Sequence, residues 1–202
     1  MTQYTGPDEL GSTKTAIMQA TYKALSKHGY DNLTIQDIAD EFERSRTLLY
    51  YHYDGRDDLL VDFLEYVLHD FLEQLPDGEG SARKELETLV ETLLPTTLDE
   101  EVYQVQLAMF ELRVNGPHNE AAREQYLQVD REIKETLETI FQRGIDSGEF
   151  TDIDPALEAE LFLSILTGTR TRRLTVYRPE QSIAELRAAI NTQIERITTD
   201  AN

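Results

Sequence analysis

The sequence predicts an all-α protein, and two observations support that fold class. Leucine, glutamate, alanine, glutamine and arginine recur at helical spacing over long stretches, and no stretch alternates apolar and polar residues for long. Only ten glycines and six prolines interrupt the 202 residues. The chain has no cysteine, which excludes disulfides and cysteine metal sites and is compatible with a cytoplasmic protein.

The first helix is predicted to follow a polar tail. Ser12 or Thr13 is its expected N-cap, and it ends near His28 because Gly29 can adopt the left-handed backbone that closes helices. The tail has no apolar segment of signal-peptide length, and no window approaches a membrane span. We therefore expect no membrane partner.

Two short helical patterns follow between Thr34 and Tyr53. Thr34 is a predicted N-cap with Asp37 three residues later, and the helix that it opens has one apolar face. Ser45 is the predicted N-cap of the second helix, which buries Leu49 and Tyr53. Its other residues form a basic, hydroxyl-bearing and aromatic surface, a mixture typical of contacts with phosphates and base edges. The pattern indicates a helix-turn-helix with its recognition helix at Ser45 to His52.

The remaining chain predicts six more helices. A fourth helix begins after Tyr53 and ends before Pro76, and three others span about residues 82–94, 99–115 and 120–146. Asp154 and Pro155 supply a cap and a first-turn proline for the next, and the last spans about 179–198. The final two helices carry more apolar surface than one chain can cover, which predicts a homodimer interface.

The net charge of −20, with a pI near 4.5, is unusual. Residues 1–60 contain six Lys/Arg and ten Asp/Glu, whereas the other 142 contain thirteen and twenty-nine. One interpretation is that the protein does not touch nucleic acid. The other is a halophile protein in a salty cytoplasm, where the screening length falls to ~3 Å at 1 M salt. The acid excess lies mostly outside the helix-turn-helix, which favours the second interpretation.

The region from about Lys14 to Phe71 resembles the DNA-binding domain of the tetracycline-repressor (TetR) family of transcriptional regulators. The similarity runs through IMQATYKALSKHGYDNLTIQDIA, SRTLLYYHY and DGRDDLL. The C-terminal half resembles the BetI-like type of ligand domain in its order of Gly-Glu-Phe, Asp-Pro and Thr-Gly. The resemblance implies an N-terminal three-helix DNA-binding domain at residues 1–56 and a C-terminal helical ligand-binding and dimerisation domain at 57–202.

The resemblance also implies roles for individual residues. Five residues match family positions that contact the DNA backbone: Thr34, Ser45, Tyr50, His52 and Arg56. Four others match family positions that face base edges: Arg46, Thr47, Leu48 and Tyr51. Two alternatives stay open: the tyrosines could be core residues, and Thr34 and Ser45 could act as caps alone. Glu43 and Arg44 depart from the family's usual turn residues, and they put the geometry of the turn in question.

An effector pocket is expected among inward-facing groups of helices four to eight. Its candidate residues, for which ordinary core packing is the alternative, are Tyr66, Tyr103, Phe110, Arg113, Tyr126 and Thr167. The four histidines lack metal-ligand spacing, and the sequence contains no nucleophile motif or glycine-rich phosphate loop, so we expect no cofactor.

The function implied is that of a homodimeric regulator, a repressor, in which a small-molecule effector controls binding to a palindromic double-stranded DNA operator. One alternative is a helical small-molecule-binding protein or enzyme with a vestigial DNA-binding domain. Another is a protein-interaction module that uses the acidic surface. The sequence identifies neither the effector nor the operator.

Overall fold

The computed structural model describes residues 7–42, 46–73, 75, 78 and 80–199, with the backbone alone for 7–12. Helices dominate these ranges, which confirms the predicted all-α fold: α1 Pro7–Asn32, α2 Ile35–Glu41, α3 Arg46–His52, α4 Arg56–Leu72, α5 Ala82–Leu93, α6 Glu100–Val114, α7 Glu120–Asp146, α8 Pro155–Thr175 and α9 Ala184–Ile197. A short 3-10 helix, Gly116–His118, separates α6 from α7. No helix in the described ranges is both long and apolar enough to cross a bilayer.

The chain divides into two compact units. The first contains the described residues up to Leu68 together with Glu100–Arg123, and the second contains His69–Asp99 and the described residues from Glu124 onward. Within the first unit, α1 packs mainly against α6 and α2. These units are defined by packing, and the division into domains 1–56 and 57–202 stays a prediction.

Helix α1 begins earlier than predicted. It starts at Pro7 and includes Ser12 and Thr13, so neither of them is its N-cap. Proline has a fixed φ suited to the first helical turn, which makes Pro7 a good starting residue. The helix is interrupted at Gly29, whose φ of 67° lies in the left-handed region, close to the predicted helix end at His28.

Helix α9 begins at Ala184 rather than near Pro179 as predicted. The buried Arg173 side chain donates hydrogen bonds to the carbonyls of Pro179 and Gln181. The backbone N–H of Ile183 donates to the Thr96 carbonyl at 3.1 Å. The partners in these hydrogen bonds, Arg173 and Thr96, both lie outside the predicted helix. They hold residues 179–183 in a non-helical conformation.

The start of α8 follows the prediction. The Asp154 carboxylate accepts hydrogen bonds from the backbone N–H groups of Ala156 at 3.0 Å and Leu157 at 3.1 Å, and Pro155 occupies the first helical position. A carboxylate in this place satisfies donors that the first turn leaves without helical partners. The local sequence therefore determines this helix end.

Aromatic rings fill the centre of the second unit. The Phe141 ring lies 5.2 Å from that of Phe162 and 6.0 Å from that of Phe150, measured between centroids, and all three side chains are buried. Three isoleucines of α9 are also buried: Ile190, Ile194 and Ile197. The apolar line of α9, which suggested a partner chain, is thus largely covered within its own unit.

Candidate nucleic-acid interface

Helix α2 begins with the predicted capping box. The Thr34 hydroxyl accepts a hydrogen bond from the Asp37 backbone N–H at 3.2 Å, and the Asp37 carboxylate accepts from the Thr34 backbone N–H at 2.8 Å and hydroxyl at 2.6 Å. These hydrogen bonds, that of the Thr34 hydroxyl first, hold the pKa of Asp37 below its usual value. The capping role of Thr34 is confirmed. Its contact with a phosphate stays a prediction and is compatible with capping.

Helix α3 is fixed to the body of the first unit through Leu49 and Tyr53, both buried as predicted. The Tyr53 hydroxyl donates to the Asp62 carboxylate of α4 at 2.9 Å, and the Lys14 ammonium lies 3.2 Å from the same oxygen. Burial and the neighbouring Asp62 carboxylate raise the pKa of Tyr53. The end of α3 is thereby tied to α4 and α1.

The opposite side of α3 is open to solvent. Arg46, Thr47, Tyr50, Tyr51 and His52 are exposed and Leu48 is half-buried. Tyr51 is 83% exposed and Tyr50 48% exposed, which argues against core packing for either ring. The structure therefore brings six of the predicted DNA-facing residues onto one helix. Contact with DNA stays a prediction for each of them.

Three residues at the turn are outside the described residues. They are Glu43, Arg44 and the predicted N-cap Ser45. The effect of Glu43 and Arg44 on the turn geometry therefore stays an open question. The capping role of Ser45 stays a prediction.

Two residues of α2 reach the same surface, and the sequence did not single them out. Asp40 Oδ1 lies 2.7 Å from Arg46 Nη2, and Gln36 accepts a hydrogen bond of 3.2 Å from the Tyr50 hydroxyl. The Gln36 amide in turn donates to Asp40 Oδ1 at 2.8 Å. Their spacing of four residues on the polar side of α2 was a usable signal, since such pairs are neighbours on a helix surface.

Arg56, a predicted phosphate contact, is less exposed than Arg46, a predicted base contact. Its side chain is 24% exposed, compared with 60% for Arg46. The guanidinium carbon lies 4.5 Å from the centroid of the Tyr30 ring, a cation–π arrangement. Arg56 therefore braces the segment after the break in α1, and a phosphate contact would use only its exposed part.

The positive charge of this surface is partly neutralised by acids of α2. Asp40 pairs with Arg46, and the neighbouring Glu41 pairs with Lys27 of α1 at 2.6 Å. Phosphate groups would thus meet cations that already have carboxylate partners. Shape and specific hydrogen bonds must contribute more here than they do on a strongly basic surface.

The six candidate pocket residues are divided between the two units. Tyr66, Tyr103, Phe110 and Arg113 belong to the first unit, and Tyr126 and Thr167 belong to the second. Tyr66 and Thr167 are exposed, and the other four are half-buried. Their role in an effector pocket stays a prediction.

Two family models match the chain. One, for the C-terminal region of BetI-type transcriptional repressors, matches residues 82–199, and the other, for bacterial regulatory proteins of the tetR family, matches residues 17–63. The chain belongs to the TetR family. It is a helix-turn-helix transcriptional regulator with an N-terminal DNA-binding region and a C-terminal ligand-binding region.

Relatives of this TetR-family chain agree with that assignment. A TetR transcription regulator from Haloarcula marismortui is 34% identical with a TM-score of 0.83, covering 94% of this chain and 100% of that one. A transcriptional regulator from Saccharomonospora viridis, solved in complex with choline, is 25% identical with a TM-score of 0.76, covering 94% and 99%. The HTH-type regulator YfiR of Bacillus subtilis is 27% identical over 160 residues, 75% of each chain.

Proposed function

We propose that this TetR-family chain is a repressor that binds a palindromic operator as a homodimer and leaves it when a small molecule binds. The observation that carries the proposal is the exposed face of α3, which the buried Leu49 and Tyr53 hold in place. A helix presented in this way can enter a major groove, and two copies related by a twofold axis can read two half-sites.

The test is an electrophoretic mobility shift in molar KCl with DNA from upstream of its own gene. Arg46→Ala should weaken binding by roughly 5- to 150-fold, since a good side-chain contact with a base is worth ~1–3 kcal/mol. Arg131→Ala, which removes an exposed arginine of α7, is the matched control and should bind like the wild type. No shift by the wild-type protein, or equal binding by Arg46→Ala, would contradict the proposal.

The homodimer is proposed to form through α8 and α9, with the exposed leucines of α8 as its apolar contact because the isoleucines of α9 are already buried. Leu157 and Leu161 are one turn apart on α8 and remain 70% and 45% exposed. Leu161→Glu should reduce the mass measured by light scattering to that of one chain and abolish operator binding. Leu127→Glu, which changes an exposed leucine of α7, should leave the dimer intact. A dimeric Leu161→Glu protein would place the interface elsewhere.

Choline is the effector that we propose to test first. Support comes from the match to BetI-type repressors and from the Saccharomonospora viridis regulator solved with choline. Aromatic faces attract quaternary ammonium groups, and Tyr103 and Phe110 on α6 are two half-buried candidates. Choline should release the protein from DNA in the mobility-shift assay. Unchanged DNA binding at saturating choline would exclude it as the effector.

A halophile origin is part of the proposal. It rests on the net charge of −20 and on the similarity to the regulator from the halophile Haloarcula marismortui. High salt screens the repulsion between acidic protein and DNA, and this allows close approach of α3. The wild-type protein should therefore keep specific binding in molar KCl.

A further inference from the structure

We infer that Asp40 and Gln36 of α2 are positioning residues that set DNA specificity by holding Arg46 and Tyr50 of α3. This inference rests on the proposed function, because it concerns the same DNA-facing surface. It adds two residues that do not belong to the recognition helix. It also assigns Asp40 a restraining effect on binding to DNA of unrelated sequence.

The four side chains form one continuous chain of polar contacts. The Tyr50 hydroxyl donates to Gln36 Oε1 at 3.2 Å, the Gln36 amide donates to Asp40 Oδ1 at 2.8 Å, and Arg46 Nη2 lies 2.7 Å from the same Asp40 oxygen. Each helix contributes two residues one turn apart. The contacts therefore fix two outward-facing side chains of α3 relative to α2.

The contacts have little effect on folding stability. Arg46 and Asp40 are 60% and 52% exposed, and solvent screens ion pairs in such positions. Their effect is on conformation instead. Arginine and tyrosine lose rotamer freedom when they bind a partner, and side chains already held in place lose less. The network therefore prepares Arg46 and Tyr50 before DNA arrives.

Asp40 also has different effects on the two kinds of DNA contact that Arg46 can make, with a base and with a phosphate. A guanidinium has five N–H donors, so contact with Asp40 through Nη2 leaves donors for the O6 and N7 acceptors of a guanine. A phosphate, in contrast, carries a negative charge that the Asp40 carboxylate repels. Base contact is compatible with the pair, whereas phosphate contact competes with it. Asp40 thus lowers affinity for unrelated DNA more than affinity for the operator.

The test compares Asp40→Asn with the wild-type protein. Asparagine keeps the size and one oxygen acceptor but removes the charge. The first probe is the shortest DNA duplex, from upstream of the protein's own gene, that the wild-type protein protects from nuclease. The second is the same duplex with one base pair changed in each half-site, and the third is a duplex of unrelated sequence. We expect Asp40→Asn to bind the unrelated duplex about tenfold more tightly and to lose about tenfold in discrimination. The slope of log K against log salt should steepen by about one, because Arg46 becomes free to neutralise a phosphate.

Glu101→Gln is the matched control. It removes one negative charge from an exposed position on α6 of the same unit, and it should change neither discrimination nor the salt slope. The melting temperature of Asp40→Asn should equal that of the wild type, which separates positioning from folding. Discrimination and salt slope equal to those of the wild type would overturn the inference.

A double-mutant cycle tests whether Asp40 acts through Arg46. In an Arg46→Ala background, Asp40→Asn should cause no further loss of discrimination. Additive effects would contradict the inference. Wild-type protein that binds none of the duplexes would overturn the proposed function and this inference together. If the wild-type protein binds normally and Asp40→Asn has the same discrimination and salt slope, this inference alone would be overturned.

Discussion

Replacing Gly144 by alanine should destabilise the second unit, although alanine is the better helix former. Gly144 lies buried near the end of α7, and a Cβ added there would fall on the ring of Phe150, 2.8 Å from its Cγ and closer to two other ring atoms. The backbone of Phe150 cannot retreat easily. Its N–H donates to the Gly144 carbonyl at 2.9 Å, and the next residue, Thr151, donates to the Ile197 carbonyl at 2.8 Å.

The magnitude follows from two opposing effects. Alanine gains about 1 kcal/mol over glycine inside a helix. Loss of the buried ring contacts altogether would cost ~3–5 kcal/mol, and partial displacement by overpacking costs ~1–3 kcal/mol. The ring overlap involves rigid atoms within an aromatic cluster, so we expect a net loss of roughly 2 kcal/mol. For a chain of this length, that corresponds to a fall in Tm of roughly 4–8 °C.

Thermal unfolding followed by circular dichroism at fixed protein concentration provides the assay. Gly168→Ala is the matched control, because an added Cβ at this exposed position of α8 meets no other part of the same chain within 4 Å, apart from the adjoining turns of its own helix. The control should be as stable as the wild type or slightly more stable. In a Phe150→Leu background, Gly144→Ala should cost less than it does alone. A Gly144→Ala protein at least as stable as the wild type would refute the packing argument.

Four further outcomes are expected. Thr34→Ala should lower the free energy of unfolding by about 1 kcal/mol in urea titration, since it removes an N-cap, and no loss would contradict the capping role. Asp37 has a lowered pKa in the folded protein, so its contribution to stability is present above the ordinary aspartate pKa and is lost as pH falls through the lowered value; Asp37→Asn should flatten this acidic loss. Tyr53→Phe should cost about 1.5 kcal/mol, because Asp62 loses a hydrogen-bond donor, and unchanged stability would argue against this link. The melting temperature of the wild type should rise from dilute buffer to molar KCl as acidic repulsion is screened, and a fall would contradict salt adaptation.

The sequence predicted best what short-range chemistry determines. The capping box of Thr34 and Asp37 lies within one helical turn, and so do the cap and proline at Asp154 and Pro155. The bounds predicted for α7, residues 120–146, match those observed. In each case the residues that form the helix end are adjacent in the chain, so their spacing alone carries the information.

Side-chain contacts that link one structural element to another could not be predicted from the sequence. The late start of α9 depends on Arg173 of α8, which donates hydrogen bonds to the carbonyls of Pro179 and Gln181 just before α9. The half-buried Arg56 lies over Tyr30, twenty-six positions away, so its motif match did not indicate its packing. The pairing of Asp40 with Arg46 crosses from one helix to another. Such contacts follow from how helices pack, and helical periodicity does not specify that packing.

Selection of binding sites from a random DNA library in molar KCl tests the central claim most directly. If two copies of the chain present α3 to one duplex, the selected sequences should contain an inverted repeat with half-site centres about 10 base pairs, one helical turn, apart. Arg46→Ala should select the same repeat with one position relaxed in each half. The absence of any enriched sequence, or enrichment that Arg46→Ala leaves unchanged, would contradict the claim that α3 reads DNA as a dimer.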